Sequence, residues 1–177
     1  IPEGENTEGE TENEGEGEGE SESESYSEAG EEFSDSSCGG FIGSIEVDNS
    51  TFKMSFNDCE HDGNVTASAI GNALTGGFVG SFGAFAQIQA QVLFTNSTNK
   101  GNITSHNIYK SGTSGGFIAN PETDYGDGAS VAFLHCTNQA TLYAIGTDLK
   151  QSTGGFVGFM TSDTSSVNLN ITECTNM

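Results

Sequence analysis

The chain has no arginine, no tryptophan and only four lysines among its 177 residues. Against 26 acidic residues this leaves a formal net charge of −22. Nucleic-acid binding needs basic side chains to neutralise phosphates, so the composition excludes it. An anionic membrane surface is disfavoured for the same reason. No apolar run approaches the roughly 20 residues of a membrane span, so no membrane insertion is expected. Long 3.6-residue periodicity is missing as well, and Gly, Asn, Ser and Thr are too dense for helices. Zinc needs closely spaced Cys/His pairs. Only His135 and Cys136 are neighbours, and adjacent strand residues point to opposite faces. No metal or cofactor is expected, and His61, His106 and His135 read as turn or surface residues.

The acidic charge is uneven. Residues 1–35 hold 14 Glu plus Asp35 and no Lys or Arg, giving −15; the other 11 acids and four lysines give −7. From Glu8 to Glu24 every second residue is Glu, with Gly, Ser, Thr or Asn between. Residues 1–37 are therefore read as an acidic low-complexity arm. Such a segment free in solution cannot offset its ordering entropy and stays disordered. Laid out as an extended arm, its alternation would put the carboxylates on one side, where Ca²⁺ or a partner could screen them. No D-x-D-x-D-G loop is present to form a defined Ca²⁺ site. The chain opens Ile1-Pro2 with neither an initiator Met nor a signal-peptide pattern, as expected of a cleaved product or a fragment.

What the chain has in quantity is repetition. Gly39-Gly40-Phe41-Ile42-Gly43 returns as Gly76-Gly77-Phe78-Val79-Gly80, Gly115-Gly116-Phe117-Ile118-Ala119 and Gly154-Gly155-Phe156-Val157-Gly158, at steps of 37, 39 and 39 residues. A fixed period of this size signals stacked structural repeats. About 20 residues after each GGF stands a second anchor: Cys59, Ser97, Cys136 and Cys174. Before it, alternate positions are apolar, as in Phe52/Met54/Phe56 and Ala129/Val131/Phe133, the period-2 signature of a half-buried strand. Val65, Ile103 and Leu142 follow the anchor in a third short strand. Each repeat thus reads as three strands separated by polar turns.

A lone repeat cannot bury its apolar side, whereas a stack builds a continuous core. The predicted fold is all-β: a parallel β-solenoid of roughly three and a half coils with an extended acidic N-terminal arm. The solenoid covers residues 38–177, in repeats 38–75, 76–114, 115–153 and an incomplete 154–177. Phe41, Phe78, Phe117 and Phe156 should form one aromatic ladder. Phe56, Phe94 and Phe133, ending in Ile171, should form another. Paired glycines suit a corner where the backbone turns tightly or packs closely. An antiparallel sandwich is the alternative topology.

The segments Phe56-Asn57-Asp58-Cys59 with Gly63-Asn64-Val65, Phe133-Leu134-His135-Cys136-Thr137-Asn138 and Ile171-Thr172-Glu173-Cys174-Thr175-Asn176, combined with the GGF signal, resemble the GLUG-type repeats of large bacterial and protist surface proteins. The resemblance covers residues 38–177 and departs at Ser97, Ala119 and Ala140. It implies a surface-exposed solenoid, often part of an adhesin, and it implies no catalytic residues.

Four cysteines in a repetitive Asn-rich chain suit an oxidising compartment. Cys136 and Cys174 occupy the same place in adjacent coils, within disulfide reach. The coil bearing Ser97 separates Cys59 from Cys136, so Cys38 is its better partner. The expected disulfides are Cys38–Cys59 and Cys136–Cys174; free thiols buried in a ladder are the alternative. Sequons of the form N-x-S/T occur at Asn49, Asn64, Asn96, Asn102 and Asn170, none with Pro in the middle. Asn64 and Asn102 share one repeat position, so their glycans would line one edge. Chance would supply one or two sequons in so Asn/Ser/Thr-rich a chain; five, two of them in phase, favour an extracellular glycoprotein.

The fourth repeat stops after its second strand and nothing before Cys38 completes the first. Both ends of the stack are then bare, and soluble solenoids normally carry polar caps. Head-to-tail self-association would cover both ends; missing coils of a longer protein would do the same. The expected function is an extracellular structural or adhesive glycoprotein at the cell surface, with glycans and further copies of itself as partners, and not an enzyme. A carbohydrate-binding or polysaccharide-processing solenoid is the alternative. Its carboxylate candidates are Asp58, Glu60 and Asp62 near one turn, and Glu122, Asp124 and Asp127 near another. A flat threonine face for ice or mineral would use Thr98, Thr137 and Thr175, but Glu60 shortens it.

Overall fold

In the computed structural model the described residues are 34–48, 51–85, 89–124, 129–147, 150–162 and 166–177. The chain separates into Ile1–Glu31 and Glu32–Met177. The first part, most of the expected arm, lies outside the described residues.

The described part is a parallel β-solenoid. The first coil comprises Ser36–Gly39 (β1), Ile42–Asp48 (β2), Phe52–Asn57 (β3), Glu60–His61 (β4) and Val65–Ala69 (β5). The second runs Ala73–Gly76 (β6), Val79–Phe85 (β7), Ala90–Thr95 (β8), Thr98–Asn99 (β9) and Ile103–Asn107 (β10). The third runs Gly112–Gly115 (β11), Ile118–Asp124 (β12), Ala129–Leu134 (β13), Thr137–Asn138 (β14) and Leu142–Gly146 (β15). Gln151–Gly154 (β16), Thr161–Ser162 (β17), Val167–Thr172 (β18) and Thr175–Asn176 (β19) form the fourth. Each complete coil therefore has five strands, where the sequence pattern announced three. The coils begin at Ser36, two residues before the expected boundary.

Equivalent strands stack into five sheets: β1-β6-β11-β16 (A), β2-β7-β12-β17 (B), β3-β8-β13-β18 (C), β4-β9-β14-β19 (D) and β5-β10-β15 (E). The register is that of the repeat. Gly39 pairs with Gly76, Gly76 with Gly115 and Gly115 with Gly154. Phe56 pairs with Phe94, and Phe133 with both Phe94 and Ile171.

The main core lies between sheets B and C. Its two aromatic columns are the expected ladders. Phe41, Phe78, Phe117 and Phe156 stack with centroid spacings of 4.9, 4.7 and 5.3 Å. Phe56, Phe94 and Phe133 stack at 4.8 and 5.0 Å. The two columns meet edge to face: Phe78 lies 5.5 Å from Phe94 at 83°, and Phe94 lies 5.4 Å from Phe117 at 75°. Both arrangements are ones the ring quadrupole favours. Val79 and Ile118 are as fully buried as the Phe before them, so the corner points two successive side chains inward.

A second, smaller core lies between sheets A and E. It contains Val65, Ile103 and Ala140, with Cys38 and Leu142 packed against them. Ala67 and Ala73 are also fully buried on these sheets, beside buried polar side chains. Ser114 Oγ donates to Tyr143 O at 2.5 Å, and Thr75 Oγ1 donates to Thr104 O at 3.1 Å. Hydroxyls that bond to strand carbonyls can be buried at little cost.

Candidate functional site

The two cores join at a waist, and an interior side-chain ladder fills it. Two residues beyond each anchor stand His61, Asn99, Asn138 and Asn176, paired in register through β4, β9, β14 and β19. Asn99 Nδ2 donates to Asn138 Oδ1 (3.1 Å) and Asn138 Nδ2 to Asn176 Oδ1 (2.8 Å). His61 Nδ1 meets Asn99 Oδ1 at 2.7 Å. An amide oxygen only accepts, so this Nδ1 carries the hydrogen. Asn99 Nδ2 also donates to Gly116 O at 2.7 Å, tying sheet D to the A/B corner. The expectation of His61 in a turn or at the surface is thus corrected: it is buried at 8% exposure and heads the ladder. His106 is exposed. His135 is also on the surface, with Nδ1 3.0 Å from Glu173 Oε2.

The ladder explains the second glycine of each GG pair. A β-carbon on Gly77 would stand 2.6 Å from Asn99 Cγ, and one on Gly116 2.6 Å from Asn138 Cγ. Real β-carbons do not approach this closely, so the corner must be glycine wherever an Asn lies over it.

Neither expected disulfide is present, and all four cysteines are free thiols. Cys38 packs against the small core and Cys59 against the main one, on opposite sides of the waist. Cys136 and Cys174 do stack, but each thiol is turned along its own strand. Cys59 Sγ donates to Asn57 O (3.3 Å), Cys136 Sγ to Leu134 O (3.5 Å) and Cys174 Sγ to Thr172 O (3.2 Å). Ser97 Oγ makes the same bond to Thr95 O at 2.9 Å. Each anchor after the first also accepts from the anchor N–H of the preceding coil: Cys59 N to Ser97 Oγ (3.3 Å), Ser97 N to Cys136 Sγ, Cys136 N to Cys174 Sγ (3.3 Å). Serine therefore keeps the device that cysteine provides elsewhere. The residue before each anchor, Asp58, Asn96, His135 or Glu173, has φ between 49° and 55°, a left-handed turn that sets the anchor's angle. Burial, ahead of the neighbouring Cys174, pushes the Cys136 thiol above the ordinary range.

Among the carboxylate candidates, the exposed Glu60 and Asp62 both stand near Lys100. Asp58 accepts from Asn96 Nδ2 at 3.1 Å. Glu60 pairs with Lys100 at 2.7 Å on the surface, and this contact raises the lysine pKa. Glu122 faces outward on β12, whereas Asp127 and the side chain of Asp124 lie outside what is described. Thr98, Thr137 and Thr175 align in register with Glu60 at the head of the column, as expected.

Asn64, Asn96, Asn102 and Asn170 are all exposed; Asn49 is outside the described residues. Asn64 and Asn102 are neighbours one coil apart, with Asn102 N donating to Asn64 Oδ1 at 3.1 Å.

The outer faces of sheets A and B enclose a groove that runs along the solenoid axis. One wall carries Asp35, Asn72 and Ser111, linked by Asn72 N to Asp35 Oδ1 (2.7 Å) and Ser111 Oγ to Asn72 Oδ1 (2.8 Å). The other carries Asn120, Glu122 and Thr161, with Thr161 Oγ1 donating to Asn120 Oδ1 at 3.2 Å. Leu74, Thr113 and Phe159 line the floor and upper end. The groove holds cavities of about 300 Å³ around Asn120 and about 530 Å³ between Lys150 and Phe159. It was not legible in the sequence.

Searches against protein-family models, curated proteins and solved structures found no match to this chain.

Proposed function

We propose that this chain is an extracellular structural and adhesive glycoprotein whose solenoid displays its outer faces at the cell surface. The observation that carries the reading is a division of labour. Interior columns of Phe, Asn and Cys/Ser are spent on stacking, while the sequon asparagines Asn64, Asn96, Asn102 and Asn170 stand outside. The likeness to GLUG-type surface repeats points the same way. The cysteines, being free thiols, lend no support to an oxidising compartment. The reading includes no catalytic step, because Asp58 and Glu60 are engaged with Asn96 and Lys100.

Head-to-tail self-association belongs to this reading. Phe41 in the first coil is 49% exposed and Ile171 in the fourth is 47% exposed, while inner members of the same two columns are buried. Stacked copies would continue both columns, and parallel strands would pair across the junction.

Mass spectrometry of the protein from the surface of its own cells, before and after enzymatic removal of N-glycans, tests the reading. Glycan mass on Asn64 or Asn102 is expected. Four unmodified asparagines would overturn it.

A further inference from the structure

We propose that the groove between sheets A and B binds an extended, neutral, hydroxyl-rich glycan chain lying along the solenoid axis. The inference gives the adhesive part of the reading above its ligand class, and rests on that reading for its biological setting.

Three features of the groove select this ligand. The first is direction and pitch. Its walls repeat once per coil, at the ~4.8 Å spacing of neighbouring strands, about the length of one pyranose in an extended chain. Asp35, Asn72 and Ser111 rise in single file on one wall; Ser44, Ser81 and Asn120 do so on the other. A linear polymer with a similar repeat meets the same kind of group at each step.

The second is chemistry. The walls offer hydroxyl, amide and carboxylate groups, which donate to and accept from sugar hydroxyls. Leu74 and the 54% exposed Phe159 add an apolar surface for the C–H face of a ring.

The third is what the groove rejects. Among the described residues that line it, Asp35, Glu46 and Glu122 face one basic side chain, Lys150, on a chain of net charge −22. Polyanions are repelled by such a field. An extended peptide binds sheets through open strand edges. Here the strands cross the groove and pair with the coils before and after them, so no strand edge opens into its length.

The test is calorimetric titration of the whole purified chain with neutral glucan, mannan and N-acetylglucosamine oligomers, and with a sulfated glycan as the anionic probe. At least one neutral oligomer is expected to bind, and the sulfated glycan is not. Phe159→Ala should weaken that binding about tenfold or more, the loss of one stacking contact. Asn120→Ala should weaken it too. Tyr143→Ala removes an equally exposed aromatic from sheet E, away from the groove, and should leave binding unchanged. Circular dichroism checks that each variant is folded. Binding of no neutral oligomer, preference for the sulfated glycan, or equal loss in the Phe159 and Tyr143 variants would overturn the proposal. Unmodified asparagines at all four exposed sequons (Asn64, Asn96, Asn102 and Asn170) would sink the glycoprotein reading without altering these titrations, so the two failures are distinguishable.

Discussion

Asn138 lies against Gly116 so closely that a β-carbon on the glycine would stand 2.6 Å from the amide carbon. The pairing recurs at Gly77 with Asn99 and at Gly155 with Asn176. Two sequence signals some 20 residues apart, the GG pair and the C-x-N segment, are halves of one packing unit.

Gly77→Ala and Gly116→Ala should therefore be among the costliest small changes in the molecule. Each drives a methyl group into backbone and a buried amide, and a loss of about 3 kcal/mol or more is expected. Gly63→Ala is the control. Its β-carbon would meet nothing nearer than His61 Nε2 at 3.6 Å, and its effect should stay within about 0.5 kcal/mol. Urea denaturation followed by circular dichroism measures all three.

Asn99→Leu should cost about 2 kcal/mol or more. It removes the donor to Gly116 O and Asn138 Oδ1 and the acceptor for His61, leaving buried polar groups unpaired at roughly 1–3 kcal/mol each. Asn99→Leu combined with Asn138→Leu should cost clearly less than the sum, because the second change also removes a stranded partner. Strict additivity in the same denaturation assay would mean that the ladder is not coupled.

Phe94→Ala should destabilise by about 3–5 kcal/mol, since its ring is fully buried, stacked at 4.8 and 5.0 Å between Phe56 and Phe133. Phe159→Ala, on the surface, should change the denaturation midpoint little.

The aromatic columns were legible in the sequence because burial there follows apolar alternation. The GGF spacing set the register, and the pairing of Gly76 with Gly115 follows it. The strands of sheets A and D escaped notice for the opposite reason. They bury Thr75, Ser114, Asn99 and Asn138, which a hydropathy reading assigns to turns. His61 in the column otherwise held by Asn was the available clue. The Cys136–Cys174 expectation fails although the two residues are neighbours, because each sulfur is turned along its own strand. Cys38–Cys59 fails because the two pack against different cores. The groove depends on how sheets A and B face one another, which no single repeat encodes.

Thiol counting under denaturing, non-reducing conditions should find all four cysteines reactive, and in the native state Cys136 should react last. Cys136→Ser should be mild, since Ser97 already performs the role, while Cys136→Ala strips the acceptor from Ser97 N and should cost more. The raised Cys136 pKa fixes the sign of a pH effect. The folded chain holds this proton more tightly than the unfolded one, so its contribution is complete below the ordinary thiol pKa. It is lost as pH rises through the folded value. Denaturation midpoints of wild type and Cys136→Ser should diverge less at alkaline pH than at neutral pH.

Ring-to-ring nuclear Overhauser contacts in a sample with labelled phenylalanines test the stacked register most directly. The Phe78 ring should show contacts to Phe117, 4.7 Å away, and to Phe94, 5.5 Å away. Strong Phe78 signals with neither neighbour in contact would contradict the solenoid and everything built on it.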